Sequence, residues 1–334
     1  MAVSVELPVP PEGRRLRTGP SASPARIVWV KTMLCAAIDI GSNTTRILVA
    51  EPDEGKLKKL MEQRAYTRIG QARLDDGTIP AEKVAEVAEV VDTQVKLARE
   101  LGAGTFRAVA TAALRDAPNG KEAAAEIEAV AGIPVHVVSE NEEGRLAFLG
   151  ATKALGYQVE GRVAVVDVGG GSTEIIIGTA DGGVEQVRSW PIGSGQLAEE
   201  LISSDPPSAS EIRRVRDRVD EVFAEVQITQ PEQAVAVGGS ATSLRKIVGA
   251  RLEYETLERS IRVLSGDEAL EVGRQFELDP IRVRMLATGV LILEKVSELL
   301  GQDLQIGKGG IREGIVLDML NGGIDVSEPA LTPG

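Results

Sequence analysis

Ala36-Ala37-Ile38-Asp39-Ile40-Gly41-Ser42-Asn43-Thr44-Thr45-Arg46-Ile47-Leu48-Val49 decides the reading of this chain, because it has a second copy. Ala164-Val165-Val166-Asp167-Val168-Gly169-Gly170-Gly171-Ser172-Thr173-Glu174-Ile175-Ile176-Ile177 aligns with it without a gap, placing Asp167 on Asp39, Gly169 on Gly41 and Thr173 on Thr45. Each copy is an apolar strand, an acidic residue, a small-residue turn and a second apolar strand. Successive backbone N–H groups and hydroxyls in such a turn can wrap a phosphate. An Asp at the strand end can hold a divalent cation or position a water. Two such hairpins predict two related domains facing one phosphate-bearing ligand.

The turns belong to neither of the common nucleotide fingerprints. There is no Gly-Lys-Ser/Thr of a P-loop, and Gly169-Gly170-Gly171-Ser172-Thr173-Glu174 lacks a third spaced glycine and is followed by a strand, not a helix. Asp167 and Glu174 flank one turn, so strand pairing can bring both carboxylates to one point. Two hard oxygen ligands completed by phosphate and water suit Mg²⁺. Glu174 precedes Ile175-Ile176-Ile177, and a charge beside a buried run needs a partner. Gly238-Gly239-Ser240-Ala241-Thr242 follows an apolar strand and opens a helix, a second place for an anion; a plain strand-to-helix turn reads almost as well.

Around these hairpins the pattern is α/β. Strands are predicted at 34–40, 46–51, 57–69, 106–110, 133–138, 162–168, 173–179, 183–190 and 234–237. Helices are predicted at 81–101, 121–131, 142–155, 280–300 and 312–321. Ser208-x-x-Glu211 and Ser265-x-x-Glu268 read as capping boxes, the first opening a helix with Ile212, Val215, Val219, Val222 and Val226 inward. Residues 1–32, rich in Pro, Arg and Ser, read as a disordered extension, and 322–334 as a loose tail. Met33 stands directly before the first strand and is the expected natural start.

The 334 residues allow two domains, with 43% apolar and 26% charged residues as in a globular protein. Aromatics make up only 3%, which leaves little for base stacking, and the net charge of −13 disfavours nucleic acid and anionic membranes as partners. Arg46, Arg115, Lys308 and Arg312 lie in or beside the motif segments and can supply local positive charge. Cys35 is the lone cysteine and His136 the lone histidine, so disulfides and Cys/His zinc sites are excluded, and the usage fits a reducing cytoplasm. His136 in a strand reads as structural. No apolar run reaches the roughly 18 residues of a membrane span.

Two further stretches complete the pattern: Ala110-Thr111-Ala112-Ala113-Leu114-Arg115-Asp116-Ala117 and Asn141-Glu142-Glu143-Gly144-Arg145-Leu146. Spacing alone assigns them no chemistry. Taken in order with Asp39–Thr44, Asp167–Glu174, Gly238–Thr242 and Gly310-Ile311-Arg312-Glu313-Gly314, they resemble the exopolyphosphatase/guanosine pentaphosphate phosphohydrolase family, in its short two-domain form, over residues 33–321. The resemblance implies two ribonuclease-H-like domains of the actin-like ATPase superfamily with a cleft between them. It places 33–144 plus 312–321 in the first domain and 145–311 in the second.

By the same resemblance Glu143 is the catalytic carboxylate, and Asp39, Asp167 and Glu174 hold Mg²⁺ or another hard divalent cation. Gly41, Ser42, Asn43, Thr44, Gly169, Gly170, Gly171, Ser172, Thr173, Gly239, Ser240 and Arg115 bind substrate phosphates. The chain departs from the family pattern at Glu140, where Gly is usual, and at Gly144, where Ala is common. The implied activity is release of terminal orthophosphate from inorganic polyphosphate, with guanosine pentaphosphate converted to tetraphosphate as a second substrate. An ATP-dependent kinase or ATPase of the same superfamily and a non-catalytic alarmone sensor are the competing readings. A homodimer is compatible with such a cleft; no residue marks an interface.

Overall fold

The computed structural model describes residues 33–53, 56–155 and 159–322; the extension at 1–32 and the tail from 323 onward lie outside the described residues. The chain opens with β1 (Cys35–Ile40), β2 (Thr45–Asp53) and β3 (Lys56–Ala65), then α1 (Ala81–Glu100), β4 (Thr105–Ala110), α2 (Ala112–Arg115), α3 (Gly120–Ala131) and β5 (Val135–Val137). α4 (Glu140–Lys153) leads into β6 (Arg162–Val168), β7 (Thr173–Thr179) and β8 (Gly183–Trp190). α5 (Ser194–Leu201), α6 (Ala209–Phe223), β9 (Gln233–Val237), α7 (Gly238–Val248), β10 (Arg251–Leu252) and α8 (Tyr254–Leu264) follow. The described chain closes with α9 (Ala269–Phe276), α10 (Pro280–Arg284), α11 (Leu286–Leu300), β11 (Leu304–Ile306) and α12 (Ile311–Leu320).

The strands form two sheets of the same plan. The first runs β3-β2-β1-β4-β5 and the second β8-β7-β6-β9-β11, with β10 added at the far edge. In each, an antiparallel meander is joined through its first strand to parallel strands: β1 with β4, and β6 with β9. The copies match down to their irregularities. The register slips at Val49/Ala50 between β2 and β3, and at Ile177/Gly178 between β7 and β8. The repeated hairpin predicts this repetition, and the two sheets have the ribonuclease-H-like α/β plan that the family resemblance implies.

Both central strands are buried on both faces, as their unbroken apolar runs require. α1 and α3 cover one face of the first sheet, with Val84, Val87, Val91, Val95 and Ile127 packed on Ile38 and Ile47. α12 covers the other face, with Ile315 and Val316 against Ala37 and Leu48. α11 backs the second sheet through Val290, Ile292 and Leu293. α4 serves both lobes: Leu146 joins the cluster around α12, while Ala147, Phe148 and Ala151 pack on Val165 and Ile176. The expected division at 144/145 falls inside this helix. Its approach to the second sheet explains Gly144, where an added Cβ would lie 2.8 Å from the methyl groups of Val187.

Several elements differ from the sequence reading for identifiable reasons. Ser265 opens no helix; it ends α8, its hydroxyl donating to the Ile261 carbonyl at 2.7 Å, and Glu268 is the residue before α9. The spacing of Leu257, Ile261 and Leu264 is the signal that reveals α8. β3 stops at Ala65 because the next segment folds over the first hairpin loop, Arg68 N–H donating to Asn43 O at 3.0 Å and Gly70 N–H to Ser42 O at 2.9 Å. The predicted helix over 280–300 is two helices broken at Met285, whose carbonyl accepts the Thr288 hydroxyl at 2.8 Å. Ser208 and Glu211 do form the expected capping box, but α6 ends at Phe223, before Val226.

Candidate active site

The two hairpin loops meet at the floor of a cavity of about 350 Å³ between the lobes. Each loop closes on the same hydrogen bond, Gly41 N–H to Thr44 O at 3.0 Å and Gly169 N–H to Ser172 O at 2.9 Å. They touch each other: a Cβ on Gly170 would fall 2.7 Å from Asn43 Cβ. Asn43 Nδ2 also donates to Met285 Sδ at 3.3 Å, tying the first loop to the second lobe. Gly41, Ser42, Asn43, Thr44, Gly169, Gly170, Gly171 and Ser172 all line the cavity. Gly238 and Gly239 enter it at the N-terminus of α7, whose N–H groups carry partial positive charge. Gly238 has φ +79° and abuts the Asp167 carboxylate, so a side chain there is excluded both by backbone and by space.

Four carboxylates share the floor: Asp39, Glu143, Asp167 and Glu174. Asp167 and Glu174 are direct cross-strand partners in the β6–β7 hairpin. Burial and the Asp39 charge push the Asp167 carboxyl up to about 6. Burial and the charges of Glu143 and Asp167 push Glu174 well above the usual carboxylate range, with Ser189 Oγ donating to its Oε1 at 2.9 Å. Within the protein, the partners of Glu174 are the Ser189 and Ser172 hydroxyls.

Glu143 projects from the first turn of α4, which begins at Ser139, whose Oγ accepts from Glu142 N–H. Arg115 Nη1 grips the Glu143 carboxylate at 2.6 Å. Burial nevertheless dominates and, with Asp39 and Asp167 adding to it against Arg115, raises the Glu143 carboxyl to about 7. A carboxyl poised near neutrality can take a proton from water.

Basic side chains share the lining. Arg46, Lys59, Arg64, Arg282, Lys308 and Arg312 face the same cavity. Burial, Arg312 and Arg64 depress the Arg46 guanidinium to about 9. Arg282 is buried, rests on the backbone at Gly239, and its Nε has no hydrogen-bond partner among the described residues. Mutually repelling, desolvated guanidinium groups call for anions between them. Of these, Lys59, Arg64 and Arg282 lie outside every motif in the sequence and only the fold brings them in.

The donor set fits a hard cation. Asp39 and Asp167 reach the cavity from matching strand ends, and neither carboxylate accepts a hydrogen bond among the described residues. No three His, Cys, Asp or Glu side chains among the described residues converge into a ready cage. An ion held here takes carboxylate oxygens from the protein and its other ligands from phosphate and water, the habit of Mg²⁺.

Three of the sequence-selected residues point elsewhere. Thr173 is fully buried and its hydroxyl donates to Ile192 O at 2.6 Å. Ser240 is likewise buried, its hydroxyl turned to Val168 O at 3.4 Å. Arg115 stands behind Glu143, not on the cavity wall, with Glu140 and Asp116 as further acidic neighbours. His136 sits in β5 away from the cavity, and Cys35 is a core residue.

A family model described as the Ppx/GppA phosphatase family matches residues 48–322. The chain is 27% identical over 311 residues to Exopolyphosphatase 1 of Mycobacterium tuberculosis, covering 88% of this chain and 90% of that protein. It is 27% identical over 308 residues to Exopolyphosphatase 2 of the same species, covering 85% and 96%. Among solved structures, the Ppx/GppA family member of Aquifex aeolicus superposes with a TM-score of 0.73 at 28% identity, over 87% of this chain and 98% of that one.

Proposed function

For a chain that belongs to the Ppx/GppA phosphatase family, we propose hydrolysis of terminal phosphoanhydride bonds, with inorganic polyphosphate as substrate and guanosine pentaphosphate as a second one. The observation that carries this reading is the lining of one cavity, where buried carboxylates, two glycine loops and several guanidinium groups come together. The terminal phosphate rests on the N–H groups of the 41–44 and 169–172 loops, and the rest of the chain lies along Arg46, Arg64, Arg282 and Arg312. Glu143 orients a water and accepts its proton as the water oxygen bonds to the terminal phosphorus. The P–O bond to the shortened chain breaks, and orthophosphate and the shortened chain leave. Arg115 positions Glu143. Asp39, Asp167 and Glu174 form the acidic set around Mg²⁺, which when bound neutralises phosphate charge and polarises the phosphoryl group.

The test is orthophosphate release with Mg²⁺ from short polyphosphate, long polyphosphate and guanosine pentaphosphate, with Glu143→Gln run alongside. Release by the wild type alone supports the hydrolase, and the three rates rank its substrates. No release from any of them overturns it.

A further inference from the structure

Two acidic side chains, Glu62 and Glu313, line the cavity among its cations, and the backbone of β3 places the first of them. β3 is the outer strand of the first sheet, and the register slip against β2 leaves Leu60 unpaired between Lys59, opposite Ala50, and Met61, opposite Val49. Residues three apart on a regular strand point to opposite faces. The extra residue returns Lys59 and Glu62 to the same face, and both line the cavity with Arg64. Glu62 Oε1 lies 3.2 Å from Arg312 Nη2 and 3.4 Å from Lys59 Nζ.

Both cations are also held from behind. Arg312 Nη1 donates to Ile47 O at 3.1 Å, and Lys59 pairs with Glu313 at 2.6 Å. Glu313 has a structural task of its own, because it is buried and accepts Gly310 N–H at 2.9 Å at the start of α12. Glu62 has no such task. Its side chain is 44% exposed, and its ion-pair partners are the two cavity cations.

We infer that Glu62 is a built-in counter-anion, whose carboxylate occupies the Arg312–Lys59 pair in the empty cavity and competes with incoming phosphate for it. The inference rests on the cavity being a phosphate-chain site. A phosphate carries more charge and more acceptor oxygens than a carboxylate, so it displaces Glu62. Affinity is then lower than the cations alone would give, and a polyanion that must leave after each cleavage is not held too tightly.

The test is calorimetric titration of the full chain with inorganic tripolyphosphate at low ionic strength, for wild type and Glu62→Gln. The amide keeps the size of the side chain on an exposed strand edge and removes its charge. The expected result is a Kd lower by about 2- to 5-fold, the scale of one partly exposed ion pair. The slope of log Kd against log salt should steepen, because the site gains one net positive charge toward the polyanion. The gain should vanish in an Arg312→Gln background. Equal or weaker binding by Glu62→Gln, an unchanged salt slope, or no binding by either protein overturns the inference. Tight tripolyphosphate binding without orthophosphate release defeats the hydrolase reading instead, and leaves the Glu62 titration to be judged on its own result.

Discussion

The β1–β2 and β6–β7 hairpins have the same turn and the same strand pairing, and each is followed by the same slipped register against the next strand, yet at one matched position they carry opposite charges, Arg46 against Glu174. Across the first hairpin Asp39 faces Arg46; across the second Asp167 faces Glu174. Burial raises both Asp carboxyls, but Arg46 and Arg312 work against it at Asp39, whereas at Asp167 the Asp39 charge adds to it and Arg46 alone works against it. One backbone thus makes two environments. The first hairpin, backed by guanidinium groups, suits anions. The second gathers carboxylates that no cation of the protein neutralises fully, and suits a metal ion and a water that gives up its proton. Duplication fixes where atoms can stand; one cross-strand residue decides what they attract.

The largest expected effect lies where the two halves meet. Glu143→Gln should lower kcat by about 10³-fold while leaving tripolyphosphate binding measurable, as loss of a general base does. Wild-type turnover would remove Glu143 from the chemistry. The next effect separates the two Asp residues. Asp167→Asn and Asp39→Asn should each cost about 10²-fold in Mg²⁺-dependent rate. They should differ in stability. A carboxyl whose pKa is raised on folding favours the folded state at low pH and opposes it as pH climbs from the unfolded value to the folded one, here from about 4 to about 6 for Asp167. In chelator at pH 8, Asp167→Asn should therefore be more stable than wild type by about 1–3 kcal/mol, and indistinguishable from it at pH 4. Asp39→Asn should gain less, because its carboxylate loses the attraction of Arg46 and Arg312. Denaturant melts at the two pH values check this, and equal gains would erase the asymmetry.

Arg46→Gln tests the first hairpin from its other side. It removes a guanidinium from the phosphate wall and the main opposing charge from Asp39. KM for polyphosphate should rise about tenfold, the scale of one charge-assisted phosphate contact, with a smaller change in kcat. A fall in kcat alone would assign Arg46 to holding Asp39.

How much of this was legible in the sequence follows from what each feature depends on. The hairpins were readable because strand–Asp–small turn–strand is local, and gapless repetition is strong evidence for a shared fold. The Asp167–Glu174 juxtaposition was readable because a tight turn fixes cross-strand partners. The place of Glu143 at the head of a helix was readable from the pattern over 142–155, whereas the role given to it came from resemblance and not from spacing. Arg64 and Arg282 were invisible, because a strand edge and a short helix far apart in sequence meet only through the packing of two lobes. Thr173 and Ser240 looked like phosphate ligands as hydroxyls beside glycines. The fold instead uses them to satisfy the Ile192 and Val168 carbonyls, a choice that depends on buried backbone elsewhere.

Arg115 gives the smallest and most discriminating effect. Resemblance assigns it to phosphate, whereas its Nη1 lies on Glu143 at 2.6 Å and its side chain does not line the cavity. The two roles predict different experiments. As the partner of Glu143, Arg115 holds down a carboxyl that burial raises to about 7. Arg115→Gln should then shift the acid limb of kcat/KM, which reports the free enzyme, to higher pH by about half a unit to one unit. Activity should drop a few-fold at pH 7 and recover at pH 9, with KM little changed. As a phosphate ligand, Arg115 would leave the limb in place and its loss would raise KM at every pH. The pH profile of one variant therefore decides whether the cation nearest the base belongs to the base or to the substrate.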